Sequence, residues 1–229
     1  MSKALNGNLK ESVVVDTNEM SWTESKSAGV WRKRLHLVGS EEKGQVTSIV
    51  RYDASSSFPA HDHPKGEEIL VLSGVFSDER GDWPAGSYLL SPQGFRHKPF
   101  SKDGCELLVK LRQYPGDERK TIAMDTTAMT WKAIAQPGVT VKPMYAQAGY
   151  TDTMSLERWS KKTDFGVVTY EEGAEIYVMS GDFEDEHGKY TEGCWLRFPE
   201  GGQHSPKTEE GCAIYLKRGG LNYLKYGGS

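Results

Sequence analysis

Three side chains able to bind a divalent cation lie within FPAHDHPKGEEILVLSG, residues 58–74: His61, His63 and Glu67. His61 and His63 are two apart, so an extended strand turns both imidazoles to the same face. Pro64-Lys65-Gly66 ends that strand. Glu67 then opens an apolar run whose own face carries Ile69 and Val71, so its carboxylate swings back toward the two rings. A third imidazole is available at His97, which ends GSYLLSPQGFRH, residues 86–97. Neutral imidazoles with one carboxylate satisfy a borderline cation such as Fe(II), Zn, Mn, Ni or Cu(II). A coordination number above four leaves positions for water, oxygen or substrate. One histidine alone is more often a hydrogen-bonded core or surface residue, whereas four ligands at this spacing point to metal.

The elements that must position these residues are short strands. VTSIVRY (46–52), EILVLSGVF (68–76), SYLL (87–90) and CELLVKL (105–111) alternate apolar and polar residues and are bounded by Gly, Pro, Asp or Ser. With almost no helical periodicity, the chain reads as all-β, a sandwich or barrel.

The chain also repeats itself. Asp16-Thr17-x-x-Met20-Ser21-Trp22 recurs as Asp125-Thr126-x-x-Met129-Thr130-Trp131, and residues 58–111 align without gaps on residues 165–218 with 20 identities in 54 positions. The expectation is a tandem of one β unit, an N-terminal barrel over 1–116 and a C-terminal barrel over 117–229, with sheet edges covered by strands from the other copy. In the second copy Val168, Tyr170 and Ala174 stand where the first has His61, His63 and Glu67, and His204 alone survives, in the place of His97. The metal is therefore expected in the N-terminal barrel only. Glu175, Tyr177 and His204 are candidates for a small polar pocket in the other.

The pattern H-x-H-x3-E-x6-G followed by G-x5-P-x-G-x2-H resembles the two signature motifs of the cupin superfamily. Within it, the acid pair Glu67-Glu68, the strand EEILVLSGVF, Asp78, the turn WPAGSY and SPQGFRH resemble the ChrR cupin-like family. Ser101 departs from the second motif, which often has Asn there. The resemblance implies two tandem jelly-roll barrels, a bicupin, in which His61, His63, Glu67 and His97 reach one divalent metal at a barrel mouth, Zn or Fe(II), with Mn, Ni or Cu as further options. It also implies two activities. Stand-alone cupins similar to this chain include dioxygenases that cleave diketones or hydroxyketones, which implies an oxygen-activating or Lewis-acid enzyme on a small oxygenated substrate, with Glu67 as ligand or proton acceptor. ChrR-type anti-sigma factors use their cupin to sense reactive oxygen, which implies a non-catalytic sensor with a sigma-factor partner. Their separate helical zinc domain is not expected here, because the sequence has no H-x3-C-x2-C.

Arg51 and Arg96 flank the motif residues and are candidates for holding an anionic substrate. Glu106, Leu108, Lys110 and Arg112 share one face, which reads equally as a polar lumen or an exposed outer face. A net charge of −4 without a basic run argues against nucleic acid. The chain lacks the roughly 20-residue apolar window of a membrane span, and its polar start lacks an apolar h-region, so a cytoplasmic protein is expected. Cys105, Cys194 and Cys212 form no C-x-x-C pair and read as apolar strand filler. Edge-strand pairing makes a homodimer the expected assembly, and residues 1–12 read as a mobile arm or a donated edge strand.

Overall fold

Alternating short runs do become strands. The computed structural model describes residues 4–41, 43–225 and 227, and its helical elements are two three-residue turns, Thr17–Glu19 and Leu221–Tyr223. By contact the chain forms two compact units: Met20–Ala128 with described residues of both chain ends, and Asn8–Glu19 with Met129–Asn222. This cut differs from the repeat boundary near residue 116, since 8–19 joins the second unit and 117–128 the first.

In the first unit the main sheet runs Ile122–Asp125, Ser87–Ser91, Glu67–Asp78, Cys105–Leu111, Gln45–Tyr52, Val30–Val38, Thr23–Glu24, antiparallel throughout. The second unit repeats this order with Val13–Asp16, Cys194–Phe198, Ala174–Asp185, Cys212–Arg218, Thr153–Trp159, Val139–Tyr145, Lys132–Ala133. The first strand of each series comes from the other repeat, so each unit's sheet edge is covered by a borrowed strand, as expected of exposed edges. Of the N-terminal segment, Leu5 bridges Leu37 and Val13–Asp16 is the borrowed strand; residues 1–3 lie outside the described ones.

Closure of each barrel depends on one long strand that bends between two sheets. In Glu67–Asp78 the register against Cys105–Leu111 slips between Glu106 and Leu107, and Ala174–Asp185 slips at the corresponding place against Cys212–Arg218. Such a bulge bends and twists the strand, so that its far half joins the opposite sheet. Gly74 (φ 68°) follows the bend, where a Cβ would run into the Gly104 carbonyl. Inside the first unit, Val30, Val50, Tyr52, Ile69, Val71, Phe76, Leu89, Leu107 and Val109 form one apolar cluster. Cys105, Cys194 and Cys212 are free and buried, consistent with a filler role.

Candidate metal centre

Two short strands, His61–His63 and Phe95–His97, pair antiparallel with His61 opposite His97 and His63 opposite Phe95. Strand alternation sends His61, His63 and His97 to one side of this ribbon, and the turn at Gly66 (φ 73°), where the Gly66 N–H donates to the His63 carbonyl at 3.1 Å, returns the chain so that Glu67 faces them. The three imidazoles offer ligand atoms that all lie within 4.8 Å of one another. His63 Nε2 and His97 Nε2 are 3.0 Å apart, and Glu67 Oε2 lies 3.5 Å from the first and 3.4 Å from the second.

The hydrogen bonds around the rings aim their free nitrogens inward. His97 Nδ1 donates to Asp78 Oδ2 at 3.3 Å and His61 Nδ1 to the Pro59 carbonyl at 2.8 Å, so each presents an Nε2 lone pair. Burial pushes the Asp78 carboxyl up, but hydrogen bonds from His97, Arg80 and Trp83 outweigh it and hold the group well below the usual carboxylate range. Burial, helped by the neighbouring positive groups, drops His63 to about 2, and burial also lowers His61. Burial raises Glu67 to about 7, against the opposing pull of His97 and Arg80.

These residues fit a divalent cation. His61 and His63 are neutral bases at physiological pH, as ligation requires. Glu67 Oε2 is buried and makes no hydrogen bond among the described residues. An acceptor left unpaired in the interior costs about 1–3 kcal/mol or more, and a cation among these four groups offsets that cost.

A cavity of about 470 Å³ opens onto the cluster; His61, His63, His97 and Glu67 line it together with Phe58, Phe76, Leu107 and Val109. Arg51 is not part of the lining. Ser48, Val50 and Tyr52 line the cavity, and alternation sends Arg51 to the opposite face, stacked over Trp22 (4.7 Å) and Trp31 (5.5 Å) and paired with Asp53 at 3.3 Å. Arg96 is exposed and pairs with Asp62 at 3.0 Å on the outer side of the histidine ribbon. The arginines that do line the cavity are Arg32, Arg34 and Arg112. Arg32 and Arg34 share the strand face of Val30, opposite Val50 and Ser48. Arg112 has φ 62°, which breaks the alternation of Cys105–Leu111. On the rest of that face Leu108 and Lys110 are buried, with Lys110 Nζ 3.4 Å from Thr47 Oγ1, and Glu106 is half-buried, so this part is packed outside the cavity.

In the second unit His204 keeps the carboxylate partner and loses the other ligands. His204 Nδ1 meets Asp185 Oδ2 at 3.0 Å, and Tyr170, in the place of His63, puts its hydroxyl 3.1 Å from His204 Nε2. The expected polar pocket of Glu175, Tyr177 and His204 does not form. Glu175 accepts a hydrogen bond from Trp195 Nε1 at 3.0 Å, and alternation puts Glu175 and Tyr177 opposite Ala174, Ile176 and Val178, which pack with Tyr170.

The ChrR Cupin-like domain family model matches the chain twice, over residues 10–115 and 119–222. Three solved structures are similar in fold. A Nostoc punctiforme protein provisionally assigned as a dioxygenase superposes with a TM-score of 0.75 at 15% identity, covering 95% of this chain and 86% of that one. The nickel(II) complex of the bacterial pirin YhhW from Escherichia coli has a TM-score of 0.65 at 16% identity, over 91% and 99%. An oxalate decarboxylase variant from Bacillus subtilis has a TM-score of 0.62 at 14% identity, over 90% and 76%. At these identities the likeness concerns the fold. Among curated proteins none matches the sequence. No helix among the described residues is long and apolar enough to cross a membrane.

Proposed function

The chain belongs to the ChrR cupin-like family, and on that premise we propose that it is a mononuclear metal enzyme acting on a small oxygenated substrate. In this reading His61, His63, His97 and Glu67 hold one divalent cation, Fe(II) or Zn, in the first unit only. One observation carries it: a buried carboxylate oxygen without a hydrogen bond faces three imidazoles, and that cluster lines a cavity of about 470 Å³. A purely structural ion takes a closed tetrahedral set and needs no such room.

When bound, the metal would polarise a substrate oxygen or, as iron, exchange electrons with dioxygen. The chain's own residues supply the rest. Asp78 holds His97 in the tautomer that bares Nε2, and the Pro59 carbonyl does the same for His61. Phe58, Phe76, Leu107 and Val109 give the lining apolar walls, which strengthen electrostatic interactions beside them. Glu67 Oε2, beside the ring nitrogens, serves as the fourth ligand or accepts a proton from the substrate.

Elemental analysis of protein purified without added metal tests the centre, with about one equivalent per chain expected and none in His97→Ala. Fe(II)-loaded protein is expected to consume oxygen with a diketone or a hydroxyaromatic ketone, and absence of turnover across a broad panel would contradict the enzyme reading. The family match also favours a second reading, a redox or ligand sensor that engages a regulatory partner such as a sigma factor. A pull-down that recovers such a partner in an oxidant-dependent way, from protein without turnover, would select it.

A further inference from the structure

We propose that the cavity of the first unit is built for an acid: it takes small 2-oxo or 2-hydroxy carboxylates, with the carboxylate held by the Arg32 guanidinium. This deepens the metal-enzyme reading and rests on it.

Arg32 is half-buried, and among the described residues it has no hydrogen bond or ion pair. Its Cζ lies 5.4 Å from the centre of the Phe58 ring, and that ring is 5.1 Å from the His61 ring. A bare guanidinium therefore lines the cavity one aromatic ring away from a ligand of the proposed metal. Its charge and that of Arg112 both act on His61. None of the acidic groups in the same lining pairs with it: Glu41 acts on it at longer range and pairs with Arg34 at 3.1 Å, Asp62 pairs with Arg96 at 3.0 Å, Glu67 faces the imidazoles and Glu24 is exposed.

The fold has no need of a cation there. Val141 occupies the corresponding position of the second unit, at the same register (Val141 opposite Glu157, Arg32 opposite Val50), and packs against that unit's core. Arg112 shows the same contrast. It adopts the left-handed φ of 62° that the second unit gives to Gly219 (φ 72°), and it anchors Nη1 on the Gly44 carbonyl at 3.2 Å. A non-glycine residue in that region is strained by about 1–2 kcal/mol, and such strain gathers at ligand sites. Both departures from the more stable choice occur in the unit that has the ligand cluster. A planar guanidinium fork matches a carboxylate. A carbonyl or hydroxyl oxygen on the adjacent carbon would lie toward the imidazole cluster, and the cavity is within the size range of small-ligand sites.

The test is calorimetric titration of metal-loaded protein with pyruvate and lactate against their methyl esters, with the metal content of every sample measured. Wild type is expected to prefer at least one acid over its ester at least tenfold. Arg32→Val is expected to lose that preference while its metal content and melting temperature hold or improve, Arg32→Lys to keep part of it, and Arg51→Ala to keep all of it. Metal-replete wild type that favours neither acid, or Arg32→Val that favours the acid as strongly as wild type, overturns this inference and leaves the metal reading standing. Wild type that takes up no metal overturns both.

Discussion

The two units are built on the same strand order, the same bulge in the long strand and the same turn glycines, and they part company in what fills the barrel. Tyr170 replaces His63, Ala174 replaces Glu67, Phe198 replaces Ser91 and Val141 replaces Arg32. The second lumen is an aromatic core, with Phe198 and His204 ring centres 4.4 Å apart and Trp159 and Phe183 5.1 Å apart. One feature of the site is retained across this divide, the histidine with its aspartate: His97 with Asp78 and His204 with Asp185. A buried imidazole held by a carboxylate is thus a part the fold can use twice. Its neighbours decide whether the free nitrogen meets a tyrosine hydroxyl or shares a point in space with two more imidazoles and an acid. In the first unit that convergence leaves Glu67 Oε2 without a hydrogen bond, whereas in the second the hydroxyl of Tyr170 satisfies His204.

The largest expected break in this comparison is loss of the whole equivalent of metal in His97→Ala and none of it in His204→Ala, read by elemental analysis. His204→Ala is instead expected to cost about 1–3 kcal/mol of stability, because Asp185 and Tyr170 lose a buried partner; a urea titration measures it. Next in size, Asp78→Asn replaces the charged acceptor that orients His97 with a neutral amide and is expected to weaken metal affinity about 10–100-fold. Asp185→Asn should leave affinity unchanged in the same chelator competition.

A smaller effect concerns pH. Burial lowers the pKa of His204, with Asp185 pulling the other way, so the folded state resists a proton that the unfolded chain accepts near its ordinary value of about 6.5. The stability this contributes is complete above about pH 6.5 and is lost as pH falls toward the lowered folded value, at no more than about 1.4 kcal/mol per pH unit. His61 and His63 add to this dependence and Glu67 opposes it, so the readout is the difference: urea midpoints between about pH 7.5 and 5.5 should fall less in His204→Gln than in wild type. Smallest of all, Arg51→Ala and Arg96→Ala are expected to change stability by no more than about 1 kcal/mol and metal content not at all, since each removes an exposed or half-exposed ion pair.

The convergence of His61, His63 and Glu67 was legible in the sequence because the steps that assemble it are local: two histidines on one strand face, a three-residue turn and an acid at the next strand's start; His97 comes from a distant strand and was picked out by its motif and by the spacing that recurs in the repeat. The borrowed edge strands followed from the general need to cover edges, although nothing in the runs 13–16 or 122–125 names a partner. Arg32 and Arg34 were hidden for a specific reason. Val30–Val38 carries a register shift between Arg34 and His36, so its pattern VWRKRLHLV shows no clean alternation to reveal that Arg32 faces inward. Arg112 turns into the cavity only because of its own left-handed φ. Glu175 and Tyr177 misled in the opposite sense, since their alternation was sound and the face was the wrong one. Asp78 could have been read as the partner of His97, because Asp185 and His204 keep the same spacing in the second copy.

The most direct test is an anomalous-difference map from crystals of protein purified without added metal, collected at the edge of whichever element is present. One peak bonded to His61, His63, His97 and Glu67, with nothing beside His204, is the predicted result. A peak in the second unit, or a metal-replete crystal with no peak among those four side chains, would contradict it.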